Sequence, residues 1–342
     1  MFTVRRTACL AACFASSLAW GQESTLTLKF SHWVPPTHIL ATGSIANWVK
    51  SVETASGGSI KVTVFPAGQL GKPGDHYDMA RDGIADLAWH NPGLSAGRFP
   101  IFAVSQLPML INDSRGGSQA LTEWYRAYEG REMADVKLCF GHMMYSSTLH
   151  TKAKVVSPED LKGMKIRPSS SSEATLIRLA GGAAVPGANP QAREMIDRGV
   201  IDGTTGVPAS QIAFGVDKSV KFHLDIPLSQ PAWVVVMNKA KYTQMSPRQK
   251  RAIDDNCTPE AARRFTEPMY DVEHAGLPTL RSRNEPGREV TVPPPDAMAK
   301  WRALAASVKA EWMKEVSGRG VDANAVFEGF MKAVARQDAQ VK

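Results

Sequence analysis

Few residues in this chain have the types and spacing that chemistry needs, and they form two groups: one candidate nucleophile, and a set able to hold an anion. Gly93-Leu-Ser-Ala-Gly97 matches the Gly-x-Ser-x-Gly pattern of a nucleophile elbow. That elbow needs a strand running straight into a helix, whereas Pro92 and Pro100 flank this one, so Ser95 reads as a loop serine with no identifiable base. The chain has no His-Glu-x-x-His, no phosphate loop and no Cys-x-x-Cys. Its eight histidines are dispersed, no two of them three or four residues apart as a helical metal site wants. His90 in isolation suits a general base, but beside Trp89 and Asn91 it reads better as a ligand contact. No enzyme, metal site or cofactor is expected.

The second group converges on Arg167. In Ser157-Pro-Glu-Asp-Leu-Lys-Gly-Met-Lys-Ile-Arg167, Ser157 can cap a helical turn, Pro158 suits its first position and Gly163 ends it. Met164 to Ile166 then reads as a strand that delivers Arg167 to its carboxyl-terminal edge, where ligands sit in open α/β sheets. A guanidinium supplies the fork a carboxylate needs. Trp33, Trp89, His90, Asn91, Ser147 and Asn189 fall at other loop ends, a mixture suited to excluding water with rings and orienting a small ligand with few hydrogen bonds.

The elements that must position these residues read as an α/β protein. Leu26, Leu28 and Phe30 alternate as a strand, Leu40, Ile45, Val49 and Val52 give a helical stripe, and Gly57-Gly58 precedes a strand at Ile60, Val62 and Val64. A helix near Asp75–Arg81 stops at Gly83, and Ile84 to Ala88 is expected as the third strand, opening into a Trp89-His90-Asn91-Pro92 loop. Strand–helix–strand order predicts a mainly parallel sheet with crossover helices. A second unit starts with the strand Leu138–Tyr145. It includes a helix from Ser172 to Leu179 and another capped by Asn189 with Pro190 at its first position. The chain then returns through a strand at Trp233–Met237 and a helical region from Ser246-Pro247 past Arg281. It ends in two amphipathic helices carrying Trp301, Leu304, Val308 and Trp312, then Val326, Phe327, Phe330 and Val334.

At 342 residues the chain suggests two domains. Arg5 and Arg6, an apolar run from Thr7 to Leu18, and Ala19-Trp20-Gly21 predict a secretory signal peptide, 1–21, cleaved near Gly21. Leu10-Ala-Ala-Cys13 resembles a lipoprotein box but lies too close to Arg6. No later stretch is long and apolar enough for a membrane span, so the mature chain is expected not to insert. Without Arg5 and Arg6, 38 basic residues face 33 acidic ones, a formal charge of +5. The basic residues are scattered with no aromatic ladder, so no nucleic acid partner is expected. Cys139 and Cys257 remain, as one disulfide or two buried thiols, with the thiols favoured.

The mature chain resembles the extracytoplasmic solute receptors of tripartite ATP-independent periplasmic (TRAP) transporters, the DctP family. Eight fragments carry the resemblance in order: Leu28-Lys-Phe30, Gly57-Gly58-Ser-Ile-Lys-Val62, Phe65-Pro-Ala-Gly-Gln-Leu-Gly71, Arg81-Asp-Gly-Ile-Ala-Asp86, Leu107-Pro108, Ser157 to Arg167, Gly199-Val-Ile-Asp-Gly203 and Val236-Met-Asn-Lys239. The resemblance implies a periplasmic, monomeric, two-domain clamp with mixed, mainly parallel sheets and a long domain-spanning helix. It implies domain I at 22–146 plus 229–272 and domain II at 147–228 plus 273–342. Such a clamp closes on an organic acid and hands it to TRAP permease subunits in the membrane, and the arginine that binds the ligand carboxylate falls on Arg167.

Relative to sialic-acid-binding members, a second arginine would fall near Ser147, Asn91 replaces an acid, and Gln191 replaces a glutamate. Thr204-Thr-Gly-Val-Pro208 lacks the usual Glu-Asn, and its Gly206 completes the expected ligand contacts. Trp33 occupies a first-loop contact position. These departures argue against sialic acid and for a smaller or flatter acid with an apolar or aromatic body. Two rivals are a receptor presenting its ligand to a membrane signalling protein and a secreted hydrolase built on Ser95.

Overall fold

In the computed structural model, residues 24–95, 97–283 and 286–341 are described; the signal peptide read at 1–21, with Cys9 and Cys13, lies outside them. The strands are β1 (Leu26–Ser31), β2 (Ile60–Phe65), β3 (Leu87–His90), β4 (Val136–Met143), β5 (Ser147–Thr151), β6 (Lys165–Arg167), β7 (Ala183–Ala184), β8 (Gly203–Gly206), β9 (Phe222–Ser229), β10 (Ala232–Asn238) and β11 (Glu289–Thr291). They form two sheets, ordered β2-β1-β3-β10-β4 and β11-β9-β5-β8-β6-β7.

Local sequence explains the first sheet. β1 buries Leu28 and Phe30 and exposes Thr27 and Lys29, and the helix Ala46–Ala55 carries the chain over to a parallel β2. β3 also runs parallel to β1, whereas β10 enters antiparallel between β3 and β4. The second sheet likewise mixes both senses, β6 lying parallel to β7 and β8 while β5 is antiparallel to β8 and β9. The returning strand thus makes the architecture α/β with two mixed sheets.

The third strand lies three residues later than the Ile84–Ala88 expectation. Ile84 is 51% exposed in the turn that Gly83 opens with a φ of +77°, and β3 begins only at Leu87. Trp89 and His90 therefore belong to a strand and point to opposite faces of the sheet.

The chain passes between the sheets at 144–146 and at 230–231, and Glu273 holds the first passage by accepting from the Tyr145 N–H (2.7 Å). A third passage is helical. The expected helical region is three helices, Pro247–Asp254, Pro259–His274 and Gly276–Ser282, and the last two bridge the halves end to end. Pro268 sits inside the middle one, and its ring faces Gly43 of a π-helical turn, Leu40–Ile45. A Cβ on Gly43 would lie 2.7 Å from that of Pro268, so glycine is what lets this helix approach the first sheet's crossover.

Cys139 of β4 and Cys257 form a disulfide with Cα atoms 4.4 Å apart, against the favoured reading of two thiols. It ties the sheet to the start of the bridging helix within a core that holds Phe30, Trp48, Phe140 and Phe265. A second core joins the halves through the helix Pro295–Ser317, whose Trp301 and Trp312 are buried and donate to Val156 O (2.9 Å) and Pro100 O (2.7 Å). The final helix, Ala323–Arg336, packs on the helix Ser114–Tyr125, with the Trp124 and Phe330 rings 5.1 Å apart. A stripe of Val326, Phe330 and Val334 requires an apolar partner without specifying which half supplies it.

Candidate functional site

The opening turn of the Arg167 motif forms as its residues dictate. The Asp160 carboxylate accepts from the Ser157 and Val156 N–H groups, both at 2.8 Å, and Gly163 ends the turn at a φ of +78°. β6 then delivers Arg167, only 3% exposed, to its carboxyl end. Arg167 Nε donates to Gly187 O (2.9 Å), and Nη1 donates to Asn189 Oδ1 and Thr205 O, both at 3.3 Å. Nη2 meets no protein acceptor among the described residues. Burial pushes the guanidinium down to about 10, while the negative charge of Glu173 pulls the other way, so Arg167 is a cation at neutral pH.

Glu173 lies in the helix Ser171–Leu179, whose first turn is capped by Ser170. Its buried carboxylate accepts from Ser169 N (2.8 Å), Ser169 Oγ (2.5 Å), Ser229 Oγ (2.7 Å) and Thr205 Oγ1. One carboxylate thus knits together the loop after β6, the end of β8 and the end of β9 behind the arginine. Asn189, expected as a helix cap, opens a short 3-10 turn after Ala188 instead. Its Oδ1 accepts from both Arg167 and Gln211 Nε2 (3.1 Å), so it aims the guanidinium.

Arg167 faces a cavity between the two halves, with about 560 Å³ of empty space when its open mouth is included. Trp33, Trp89, Asn91, Asn189 and Gly206 line it as read from sequence. His90 and Ser147 do not. Because His90 is in β3 beside Trp89, its ring turns to the other face, against Tyr77 (5.7 Å) and Phe99 (6.4 Å), and burial pushes it down to about 3. Ser147 is buried one layer back, its Oγ 3.4 Å from that of Ser169. Asn91 Oδ1 accepts from Gly93 N (2.8 Å) and its Nδ2 donates to Ser169 O (3.3 Å), a bond joining the two halves across the cavity.

Sequence reasoning missed much of the opposite wall. Trp233 stacks on Trp89 with centroids 3.8 Å apart and planes 5° from parallel. Register explains the pair: Val235 lies opposite Trp89 across the ladder, and Trp233, two residues away, shares its face. Trp33 leans on both indoles and on Phe214, at 5.5–6.2 Å, and His38 stacks on Phe214 at 5.9 Å. Strand parity would have flagged Trp233 once β10 was paired with β3; nothing local marks Phe214.

Ser95 does find a histidine, with His90 Nε2 3.4 Å from its Oγ. The depressed basicity of His90 and a buried Nδ1 with no partner among the described residues leave that base unoriented. No group of three or more His, Cys, Asp or Glu side chains that could hold a metal occurs among the described residues. What the main cavity can do is bind: a cationic fork with one free nitrogen faces a flat, apolar wall.

Known proteins are similar to this chain in sequence and fold. The chain is 23% identical over 339 residues to a protein described as the outer membrane transporter protein TsaT of Comamonas testosteroni, covering 97% of this chain and 98% of that one. Its fold is similar to that of a TRAP solute-binding protein from Rhodoferax ferrireducens, solved with copurified benzoate, at 26% identity and a TM-score of 0.86, covering 92% and 99% of the two chains. A marine metagenome TRAP solute-binding protein specific for aromatic acid ligands, solved with 3-hydroxybenzoate, gives the same values. The description "Bacterial extracellular solute-binding protein, family 7" matches residues 30–315, so the chain belongs to this family, DctP.

Proposed function

We propose that the protein captures a small aromatic carboxylate between its two halves and delivers it to the membrane subunits of a TRAP transporter. The observation that carries this reading is the Arg167 guanidinium, buried, held by Nε and Nη1 and left with Nη2 free, opposite the stacked Trp89 and Trp233 rings and the Trp33 ring tilted against them. A carboxylate laid on the free edge gains a charge-assisted bond in a dry site, and the ring behind it replaces water against indole faces. The aromatic acids bound by the two solved relatives support the same class.

The receptor works as a monomeric clamp in the periplasm after cleavage near Gly21. Its halves follow the discontinuous division read from sequence, except that the final helix sits with the first sheet. It is a binding protein rather than an enzyme. The Asn91–Ser169 bond across the cavity is a contact that closure makes and opening breaks.

Calorimetry with benzoate and 3-hydroxybenzoate tests the anchor. Arg167→Ala removes one partner of a buried charge pair and is expected to weaken binding by about 2–5 kcal/mol. Arg167→Lys keeps the charge, loses the fork and falls between Ala and wild type. Near-native affinity in both variants would sink the anchor role.

A further inference from the structure

Arg167 accounts for one end of the ligand. Unmet donors on the other half of the cavity bear on the second end. His38 lies in the loop after β1, lines the cavity and is 9% exposed. Its Nδ1 accepts from the Leu40 N–H (3.2 Å), which consigns the ring proton to Nε2. That Nε2–H meets no protein acceptor among the described residues, and stacking on Phe214 fixes the plane in which it points. Burial pushes His38 down to about 4, so at neutral pH the ring is an uncharged donor.

Two indoles also present donors, and these are fully buried. Trp89 donates its Nε1–H to His142 Nε2 (2.7 Å), but the Nε1 atoms of Trp33 and Trp233 are buried with no acceptor among the described residues. Of the side-chain amide oxygens that line the cavity, Asn91 Oδ1 is taken by Gly93 N, and Asn189 Oδ1 by Arg167 and Gln211. Buried donors without acceptors are rare in folded proteins, because the bond to water they forgo is not replaced. A ring bearing only a carboxylate would satisfy Arg167 and leave this wall as it is.

We infer that the site is built for an aromatic carboxylate carrying a second hydrogen-bond acceptor on its ring, a hydroxyl, carbonyl or second acidic group, and that His38 Nε2–H recognises it. The inference rests on the aromatic-acid reading above and deepens it. His38 is then a specificity-determining residue and Arg167 the common anchor.

Two substitutions separate recognition from scaffolding. His38→Asn can place its amide oxygen where Nδ1 accepts from Leu40, but withdraws the distal donor. His38→Gln keeps a distal N–H and gives up the acceptor near the backbone. Wild type, both variants and Arg167→Ala are titrated with benzoate, 3-hydroxybenzoate, 4-hydroxybenzoate and benzene-1,4-dicarboxylate. Wild type is expected to bind at least one ring-substituted acid about three- to tenfold more tightly than benzoate, the worth of one net hydrogen bond. His38→Asn should lose that preference, weakening the substituted acids more than benzoate, and His38→Gln should retain part of it. If benzoate binds as tightly as every substituted acid, or the preference survives in His38→Asn, the His38 role is overturned while the anchor stands. The role also falls if His38→Gln weakens all four acids equally while His38→Asn weakens none, which marks the histidine as scaffold. If none of the acids binds wild type, or Arg167→Ala binds them as well as wild type does, the aromatic-acid reading fails and takes this inference with it.

Discussion

The two halves of the cavity are built in opposite ways. On the Arg167 side all but the free Nη2 edge is wired: Asn189, Gly187 and Thr205 hold the guanidinium, and Glu173 behind them gathers Ser169, Thr205 and Ser229 onto one carboxylate. On the aromatic side the rings are packed, Trp33, Trp89, Trp233 and Phe214 touching face to face or tilted, with two indole N–H groups that meet no acceptor among the described residues. Hydrogen bonds fix a direction, and a small error in them leaves buried groups unmet; packed rings fix a thickness and tolerate sliding. The wired side should therefore set whether an acid binds, and the packed side which acid.

The sharpest way to break this contrast is at Glu173. Glu173→Ala leaves four donor groups and a buried arginine without their compensating charge, and is expected to destabilise the fold by roughly 3–5 kcal/mol, the range for breaking a buried ionic network. Glu173→Gln keeps the shape and should lose less. Urea unfolding of both variants checks this, and near-wild-type midpoints would show that the network is ornamental. Next in size is the disulfide under the packed side. Cys139 and Cys257 are 118 residues apart, so replacing both by serine frees a long loop in the unfolded chain and should lower stability by about 2–4 kcal/mol. Because neither cysteine lines the cavity, benzoate affinity should stay within a few-fold; a large loss would mean that the wall depends on the covalent tie. Trp33→Leu is smaller still, weakening benzoate by about 1 kcal/mol through lost ring contacts while leaving acetate unchanged. Equal losses for both acids would contradict the division of labour.

Sequence exposed the wired side better because its signal is local. Ser157, Asp160, Gly163 and the short strand are contiguous, and they deliver Arg167 wherever that strand lies in the sheet. Glu173 escaped notice, since a glutamate in the first turn of a helix reads as a favourable charge at a helix start, and its partners come from segments up to 56 residues away. The packed side is the product of pairing. Trp89 and Trp233 are about 140 residues apart in the chain and meet only because β10 inserts antiparallel beside β3. The same pairing explains His90: with the strand ended at Ala88, both Trp89 and His90 belonged to a ligand loop, and one more turn of the pleat sends the histidine to the opposite core. The chain returns between the sheets as the strand and proline pattern implied. The disulfide and the partner of the last helix depend on distances between remote segments, which composition and periodicity do not encode.

The contrast also predicts what pH leaves alone. Arg167 stays charged until the pH approaches about 10, His38 stays neutral down to about 4, and an aromatic acid of ordinary acidity is ionised above that. Affinity for benzoate should therefore be nearly flat from pH 6 to 8.5. Stability should not be. His32, His38 and His76 are each pushed from 6.5 to about 4, mainly by burial, so below pH 6.5 the unfolded chain takes up protons that the folded chain refuses. The stability these groups contribute is fully present above pH 6.5 and is lost progressively as pH falls toward 4. Glu273 works in the opposite sense, burial raising it to about 8, so its contribution is lost as pH rises from about 4.5 through 8. Three histidines outweigh one glutamate on the acid side, and thermal denaturation at pH 7 and 5 should show a lower midpoint at pH 5. If affinity falls between pH 7 and 6 in step with stability, then a titrating histidine, not the arginine, is holding the acid.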